Sequence, residues 1–250
     1  HCLSLFSAGL DSILAARVLM AQGLKVKCLH FVSPFFGDPG RMAHWERGWG
    51  LDIVAVDVSD EFTAMLRGPA HGYGKLLNPC MDCKILMLSR ARELMPRFGA
   101  SFLATGEVVG QRPMSQRRDA MNAIARDAGV KGLLLRPLCA KKLDPTPMEL
   151  SGLVDRERLY NFGGRGRRQQ LDLAREFGLT DLPTPAGGCL LAEPESARRF
   201  WPLLKHVPAP GPELFRLADE GRQYWAAADG AQFWLAIGRN QGGNERLEKL

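Results

Sequence analysis

The chain has 250 residues, 46% hydrophobic and 24% charged, ordinary values for a soluble globular protein long enough to bury a core without staples. Its net charge of +6, from 33 basic and 27 acidic side chains, is compatible with an RNA partner without demanding one. No apolar run approaches the roughly 18 residues that span a bilayer and no signal-peptide pattern leads the chain, so a cytoplasmic protein with no membrane partner is expected.

The first element is a strand at residues 3–6, a short apolar run. Small residues follow, then a helix whose stripe of Leu10, Leu14 and Val18, with Ala15 and Leu19, has helical spacing and stops at Gly23. Residues 26–32 read as a second strand, a helix carries Trp45 and Trp49, and residues 53–58 read as a third strand. Helical patterns at 81–98 and 114–128 flank a fourth strand at 101–105, and 133–135 offer a fifth. Strands alternating with helices imply βαβ units, a mainly parallel sheet and the α/β class. After Arg136 the texture changes, as Pro137, Pro145 and Pro147 break the chain into short pieces. A basic segment, Gly163-Gly164-Arg165-Gly166-Arg167-Arg168, opens a helix that runs through Glu176. A Pro/Gly turn at 183–189 follows, and prolines clustered between 202 and 212 mark a boundary. The tail has two strand-like runs around Trp225 and Trp234, a Gly-rich turn and a short final helix. The expected organisation is one α/β domain over residues 1–195 and a small C-terminal α/β module over 208–250.

Between the first strand and the first helix stand Ser7, Ala8, Gly9, Leu10, Asp11 and Ser12. A helix that begins at such a point turns its unpaired N–H groups and positive dipole end outward, which makes an anion site. Ser7 and Ser12 add hydroxyl donors, and the small residues at 8 and 9 let the backbone approach a phosphate. The run lacks the Lys-Ser/Thr ending of the loop used by phosphoryl-transfer enzymes. The plainer alternative is a β-to-α turn that happens to be small. Asp11 is the leading candidate for chemistry, beside the ordinary role of a first-turn acid that stabilises its helix by about 0.3–1 kcal/mol.

Other candidates stand at the carboxyl edge, where α/β sheets present ligands. His30 and Phe31 end the second strand, and adenine is expected near them, although a lone histidine is more often structural. Thr105, Gly106 and Glu107 end the fourth strand at the same edge. Gln111 and Gln116 can read a nucleotide or a base, but polar loop residues are usually solvated. Arg165, Arg167 and Arg168 suit phosphate contact and suit a solvated basic turn equally.

Six cysteines without a secretory signal argue against a disulfide framework and point to metal or redox chemistry. Asn78-Pro79-Cys80-Met81-Asp82-Cys83 opens a helix, and a helix start stabilises thiolates. Alone, this is a redox pair or half a zinc site. Cys189 stands in a Gly-Gly turn far along the chain. Thiolates from Cys80, Cys83 and Cys189 leave one coordination position open. A [4Fe–4S] cluster held by them exposes one iron to a ligand such as sulfide; Zn²⁺ instead keeps a water. A persulfide relay without metal needs only two of them, for example Cys80 and Cys189. Cys2, Cys28 and Cys139 lie in apolar runs and read as core.

These motifs carry a family resemblance. Residues 7–12 resemble the PP-loop of the ATP-pyrophosphatase superfamily, S-G-G-x-D-S, which cleaves ATP between the α and β phosphates and leaves an adenylated substrate. Ala8 stands where the pattern has Gly; if that position needs a positive φ, Ala costs about 1 kcal/mol there. Thr105, Gly106 and Glu107 with Gly110, Gln111, Ser115 and Gln116 are similar to the A-T-G-E-x-x-G-Q-x-x-S-Q run in the adenylation domain of tRNA 4-thiouridine synthetases, where Arg136-Pro137-Leu138 also recurs. The Asn-Pro-Cys-x-x-Cys and Cys189 contexts resemble those of tRNA thiouridylases, and the Pro-Ala-Gly-Gly-Cys turn is similar to the second catalytic cysteine region of 2-thiouridylases. The resemblance covers residues 2–191. It implies a Rossmann-like PP-loop domain, ATP at the 7–12 loop with Asp11 binding Mg²⁺ or orienting the attacking oxygen, and tRNA as substrate. It further implies sulfur supplied as sulfide or by a persulfide carrier, handled by Cys80 and Cys189 in a relay or by Cys80, Cys83 and Cys189 on an oxygen-sensitive [4Fe–4S] cluster. Trp234 to Asn240, with Asn244 and Glu245, resembles the RNA-binding module of NFACT-type ribosome-rescue factors. Two further readings stand beside thiolation: another PP-loop enzyme that adenylates RNA or a small molecule, and a non-catalytic RNA-binding protein with a zinc site.

Overall fold

The computed structural model describes residues 1–183, 189–229 and 231–249. In chain order the elements are β1 (Cys2–Leu5), α1 (Leu10–Met20), β2 (Val26–Val32), α2 (Met42–Trp49), β3 (Asp52–Asp57), α3 (Ser59–Leu66), α4 (Cys80–Phe98), β4 (Phe102–Thr105) and α5 (Arg118–Asp127). Then come β5 (Leu134–Leu135), α6 (Pro147–Leu150), α7 (Arg168–Glu176), α8 (Pro194–His206), α9 (Pro212–Glu220), β6 (Gly221–Ala228), β7 (Ala231–Gly238) and α10 (Gln241–Leu247). The chain forms two compact units, each assembled from separated stretches.

The first unit comprises His1–Val32, Gly37–Asp57 and Cys80–Gly188. Its five-stranded sheet runs β3-β2-β1-β4-β5, with every pair parallel. All four residues of β1, Ser4 included, are buried, as in a central parallel strand covered on both faces. Helix α1 is apolar on most of its surface, and Ile13, Leu14, Ala15, Ala16 and Leu19 are fully buried. Trp45 and Trp49 of α2 stack at 6.1 Å, and Phe6 meets the edge of Trp45 at 5.8 Å, closing one side of the core. Leu5 of β1 is in register with Leu29 of β2 and Thr105 of β4, so the loops after these strands leave the sheet at one edge. Strand order reverses between β1 and β4, and an open α/β sheet offers its crevice at such a point.

The second unit comprises Ser33–Phe36, Val58–Pro79 and Cys189–Leu250. Its core is aromatic. Phe35 lies 5.4 Å from Phe62, 5.3 Å from Phe200 and 5.0 Å from Phe215, and all four rings are buried. β6 and β7 pair antiparallel with Trp225 opposite Trp234, whose rings stack at 5.8 Å. Helix α10 packs on β7.

The parallel sheet, its helices and the small antiparallel tail match the α/β expectation. Three helices in the second unit go beyond it. Pro194 and Pro212 occupy the first positions of α8 and α9, where a missing N–H removes no helical bond. The prolines read as a boundary therefore begin one helix and, at Pro202, lie inside another. Helix α3 has its signal in Asp60 and Glu61, acids in a first turn that complement the helix dipole. Helix α5 begins at Arg118 rather than at 114, because Gly110 N–H reaches Gln116 O at 2.7 Å and closes the preceding residues into a loop. Among the described residues no helix is long and apolar enough to cross a membrane.

Candidate active site

The 7–12 loop leaves β1 at the reversal point of the sheet. Ser12 locks it: its Oγ accepts from Ser7 N–H at 3.3 Å and donates to Gly9 O at 2.7 Å. Gly9 O also accepts from Ser12 and Ile13 N–H, the first bonds of α1. The N–H groups of Leu10 and Asp11 come before the first helical donor, Ser12 N–H, so the helix itself gives them no acceptor. Ala8 has φ +56°, the left-handed conformation that its Gly counterpart in the family pattern adopts at no cost. Ser7 is exposed, Ala8, Gly9 and Asp11 are half-buried, and Leu10 and Ser12 are buried.

β4 meets this loop directly. A Cβ at Gly106 would lie 2.3 Å from Asp11 O and 2.6 Å from Ser12 N, so only glycine lets the two loops touch. Immediately after it, Glu107 is 2% exposed and accepts from Arg136 Nε at 2.9 Å and Thr105 Oγ1 at 3.1 Å, both on Oε2. Lys84, the residue after Cys83, stands 3.9 Å from Glu107 Oε1. Burial pushes this carboxyl up, but Lys84, Arg136 and the two hydrogen bonds outweigh it and hold it below the usual carboxylate range. Thr105 and Glu107 thus form a charged foundation under the loop rather than a surface facing solvent.

Asp11 is held from the other side. Gln111 Nε2 donates to Asp11 Oδ2 at 2.5 Å, and Gln170 Nε2 of α7 donates to Gln111 Oε1 at 3.0 Å. Asp11 Oδ1 is buried and accepts no hydrogen bond among the described residues. Burial raises the Asp11 carboxyl above its ordinary value; the Gln111 bond and the charges of Arg167 and Arg112 oppose that rise without cancelling it. An unsatisfied carboxylate oxygen among arginines, beside free N–H groups, suits a cation bound to a polyphosphate, so Mg²⁺ with ATP fits these residues. Arg167 caps the N-terminus of α7, and its turn is tied to the Gln111 loop by Gly164 N–H to Val109 O at 2.8 Å. Gln116 is buried behind this loop.

Both ring nitrogens of His30 are occupied. Asp38 N–H donates to Nε2 at 2.9 Å, which fixes the tautomer, and Nδ1–H donates to Phe6 O at 3.2 Å. Burial lowers its pKa, so the ring is neutral. Phe31 is buried beside it in β2. His30 therefore braces the end of β1, the commoner role for a lone histidine.

Cys80 opens α4, as the Cys-x-x-Cys spacing predicts, and Cys80, Cys83 and Cys189 are all half-buried. Cys80 and Cys83 belong to the first unit and Cys189 to the second. Residues 184–188 of the Pro-Ala-Gly-Gly-Cys turn lie outside the described residues. Among the described residues no group of His, Cys, Asp or Glu side chains is gathered closely enough to hold a metal ion. The donor chemistry suits an iron–sulfur cluster, but the described residues assemble no site for one. Cys2, Cys28 and Cys139 are core residues, as expected: burial pushes the Cys28 thiol up to about 12 and the Cys139 thiol up to about 11.

Gln170, Arg112, Lys84 and the role of Arg136 escaped the sequence reading. Only Arg136 carried a signal, through its Arg-Pro-Leu context; a glutamine near the start of a helix looks solvated until its burial is known.

A parallel α/β sheet with a phosphate-type loop and an acid at its reversal point defines a nucleotide-binding protein of the PP-loop class. The chain belongs to the ThiI family: the family model described as Thiamine biosynthesis protein (ThiI) matches residues 1–144. A tRNA sulfurtransferase of Pyrobaculum aerophilum is 32% identical over 149 residues, covering 57% of this chain and 29% of that protein. A probable tRNA sulfurtransferase of Aeropyrum pernix is 26% identical over 232 residues, covering 87% of this chain and 51% of that protein. The tRNA-specific 2-thiouridylase MnmA of Syntrophotalea carbinolica is 32% identical over 120 residues, covering 42% of this chain and 34% of that protein. The chain thus spans about half or less of the length of these curated relatives. Among solved structures, a predicted subunit of tRNA methyltransferase from Methanocaldococcus jannaschii superposes with a TM-score of 0.41 at 14% identity, over 55% of this chain and 69% of that one.

Proposed function

We propose that this protein catalyses the ATP-dependent thiolation of a tRNA uridine. The observation that carries the reading is the meeting of the 7–12 loop, Gly106 and Asp11 at the reversal point of the sheet, in a chain of the ThiI family. In the proposed reaction the triphosphate of ATP lies on the N–H groups that open α1, with Ser7 and Ser12 at its edge. Mg²⁺, when bound, neutralises charge on the phosphates. Asp11 holds that cation, and Arg167 and Arg112 meet the charge that accumulates on the departing pyrophosphate. The uridine carbonyl oxygen attacks the α-phosphorus, the bond to the bridging oxygen breaks, and pyrophosphate leaves. The adenylated oxygen is then a good leaving group. A sulfur nucleophile adds to the base carbon, the C–O bond breaks, and AMP departs with the original oxygen.

Cys80 and Cys189 are the proposed relay for that sulfur when a persulfide carrier supplies it, the outer sulfur passing from one thiolate to the next without net oxidation; sulfide would instead need a cluster held by Cys80, Cys83 and Cys189, which would bind it as an iron ligand. Residues 1–195 are the proposed catalytic domain and residues 208–250 the proposed RNA-binding module. Mass spectrometry of tRNA nucleosides tests the reading. A strain lacking the protein is expected to lose one thiouridine, restored by the wild-type gene and not by Cys80→Ala. A full complement of thionucleosides in the deletion strain contradicts it. Iron and sulfide analysis after anaerobic purification separates a [4Fe–4S] protein from a metal-free relay, and stoichiometric zinc with no iron defeats the cluster.

A further inference from the structure

Gln170 lies beyond residue 144, where the match to the family model ends, and is 1% exposed. It sits at one end of a side-chain chain: Gln170 Nε2 to Gln111 Oε1, then Gln111 Nε2 to Asp11 Oδ2. The direction follows from elementary chemistry. An ionised carboxylate only accepts, so Gln111 must turn its NH₂ group to Asp11. Its carbonyl then faces Gln170, which must present an NH₂ group in turn. The arrangement leaves Gln170 Oε1 buried with no hydrogen-bond partner among the described residues at one end, and Asp11 Oδ1 in the same condition at the other. Buried acceptors left unmade at both ends of one relay oppose folding, and such groups collect where a side chain is held for a ligand.

The frame that carries the relay is rigid. Helix α7 packs along α1, and the turn before α7 bridges to the Gln111 loop between Val109 and Gly163. Each of the three side chains therefore projects from backbone fixed by its own packing. Asp11 alone, at the start of a helix, has free rotation about its side-chain bonds; the relay removes it.

We infer that Gln170 is a positioning residue of the nucleotide site, which through Gln111 fixes the Asp11 carboxylate with Oδ2 occupied and Oδ1 left for the cation that accompanies ATP. The inference rests on the proposed ATP chemistry and deepens it. Helix α7, outside the family-matched segment, thereby becomes part of the site.

The test is steady-state pyrophosphate release by the full chain with tRNA, titrated with Mg²⁺, together with equilibrium binding of Mn²⁺ in the presence of ATP read by electron paramagnetic resonance, which is expected to weaken in parallel, for Gln170→Met, Gln111→Met and the double variant. Methionine nearly matches glutamine in size. The Mg²⁺ concentration for half-maximal rate is expected to rise about 10-fold in Gln170→Met, the scale seen when a ligand's outer partner is removed. The KM for tRNA is expected to stay unchanged. The double variant should be no worse than Gln111→Met, because both changes cut one relay. Gln170→Asn keeps a buried amide but shortens its reach, and should show the same Mg²⁺ shift if the methionine variant fails to fold. An active wild type whose variants keep the wild-type Mg²⁺ dependence, or whose losses add, overturns the inference alone. A wild type that releases no pyrophosphate defeats the proposed function and takes this inference with it.

Discussion

Ala8 is the residue where the loop departs from its family pattern, and the departure has a measurable consequence. At φ +56° its Cβ crowds the following carbonyl, a conformation that costs an L-residue about 1–2 kcal/mol. Glycine relieves that strain but gives back part of the gain in unfolded-state entropy, about 0.4–1 kcal/mol. Ala8→Gly is therefore expected to raise unfolding free energy by up to about 1 kcal/mol in denaturant titration, with pyrophosphate release undiminished. A clear loss of stability would mean that the left-handed turn is not what Ala8 adopts.

Among the elements, Glu107 ties three pieces of the first unit together: β4 through Thr105, α4 through Lys84, and the segment after β5 through Arg136. Arg136 is itself buried, so removing the carboxylate strands a guanidinium in the interior. Glu107→Gln is expected to destabilise the protein by about 3–5 kcal/mol at pH 7. The pH dependence has a definite sign. The folded pKa lies below the unfolded value of 4.5, so the stabilisation is complete above that value and is lost as pH falls through the folded pKa. Wild type should lose stability on acidification below about pH 4.5, and the Gln variant should lack this component of the slope. An acid-unfolding profile unchanged by the substitution would remove Glu107 from the foundation of the loop.

Local patterns were legible at this same scale. The mainly apolar run of β2 and the cysteine start of α4 are visible in sequence because each is decided within a few neighbouring residues. The 7–12 loop, Thr105 and Gly106 were legible as meeting at one edge of the sheet for the same reason: strand, small residues and acid occur in order. Gln170 was not, since its partner Gln111 is brought to it by the packing of α7 along α1. The second unit was hidden for a related reason. Phe35, Phe62, Phe200 and Phe215 come from separate stretches, and none of these stretches carries enough apolar residues alone to announce a core.

At the scale of the whole molecule, the first unit carries the proposed nucleotide edge and two of the three sulfur candidates, while Cys189 belongs to the second. The central claim is that the 7–12 loop grips ATP so that it is cleaved between the α and β phosphates. The most direct test is to incubate the full chain with tRNA, Mg²⁺, sulfide and ATP labelled in the α- and, separately, the γ-phosphate, and to separate the nucleotide and phosphate products. AMP and pyrophosphate, formed in equal amounts only when tRNA is present and lost in Asp11→Asn, are the predicted result. ADP with orthophosphate as the products, or AMP formed by Asp11→Asn at the wild-type rate, would contradict the account.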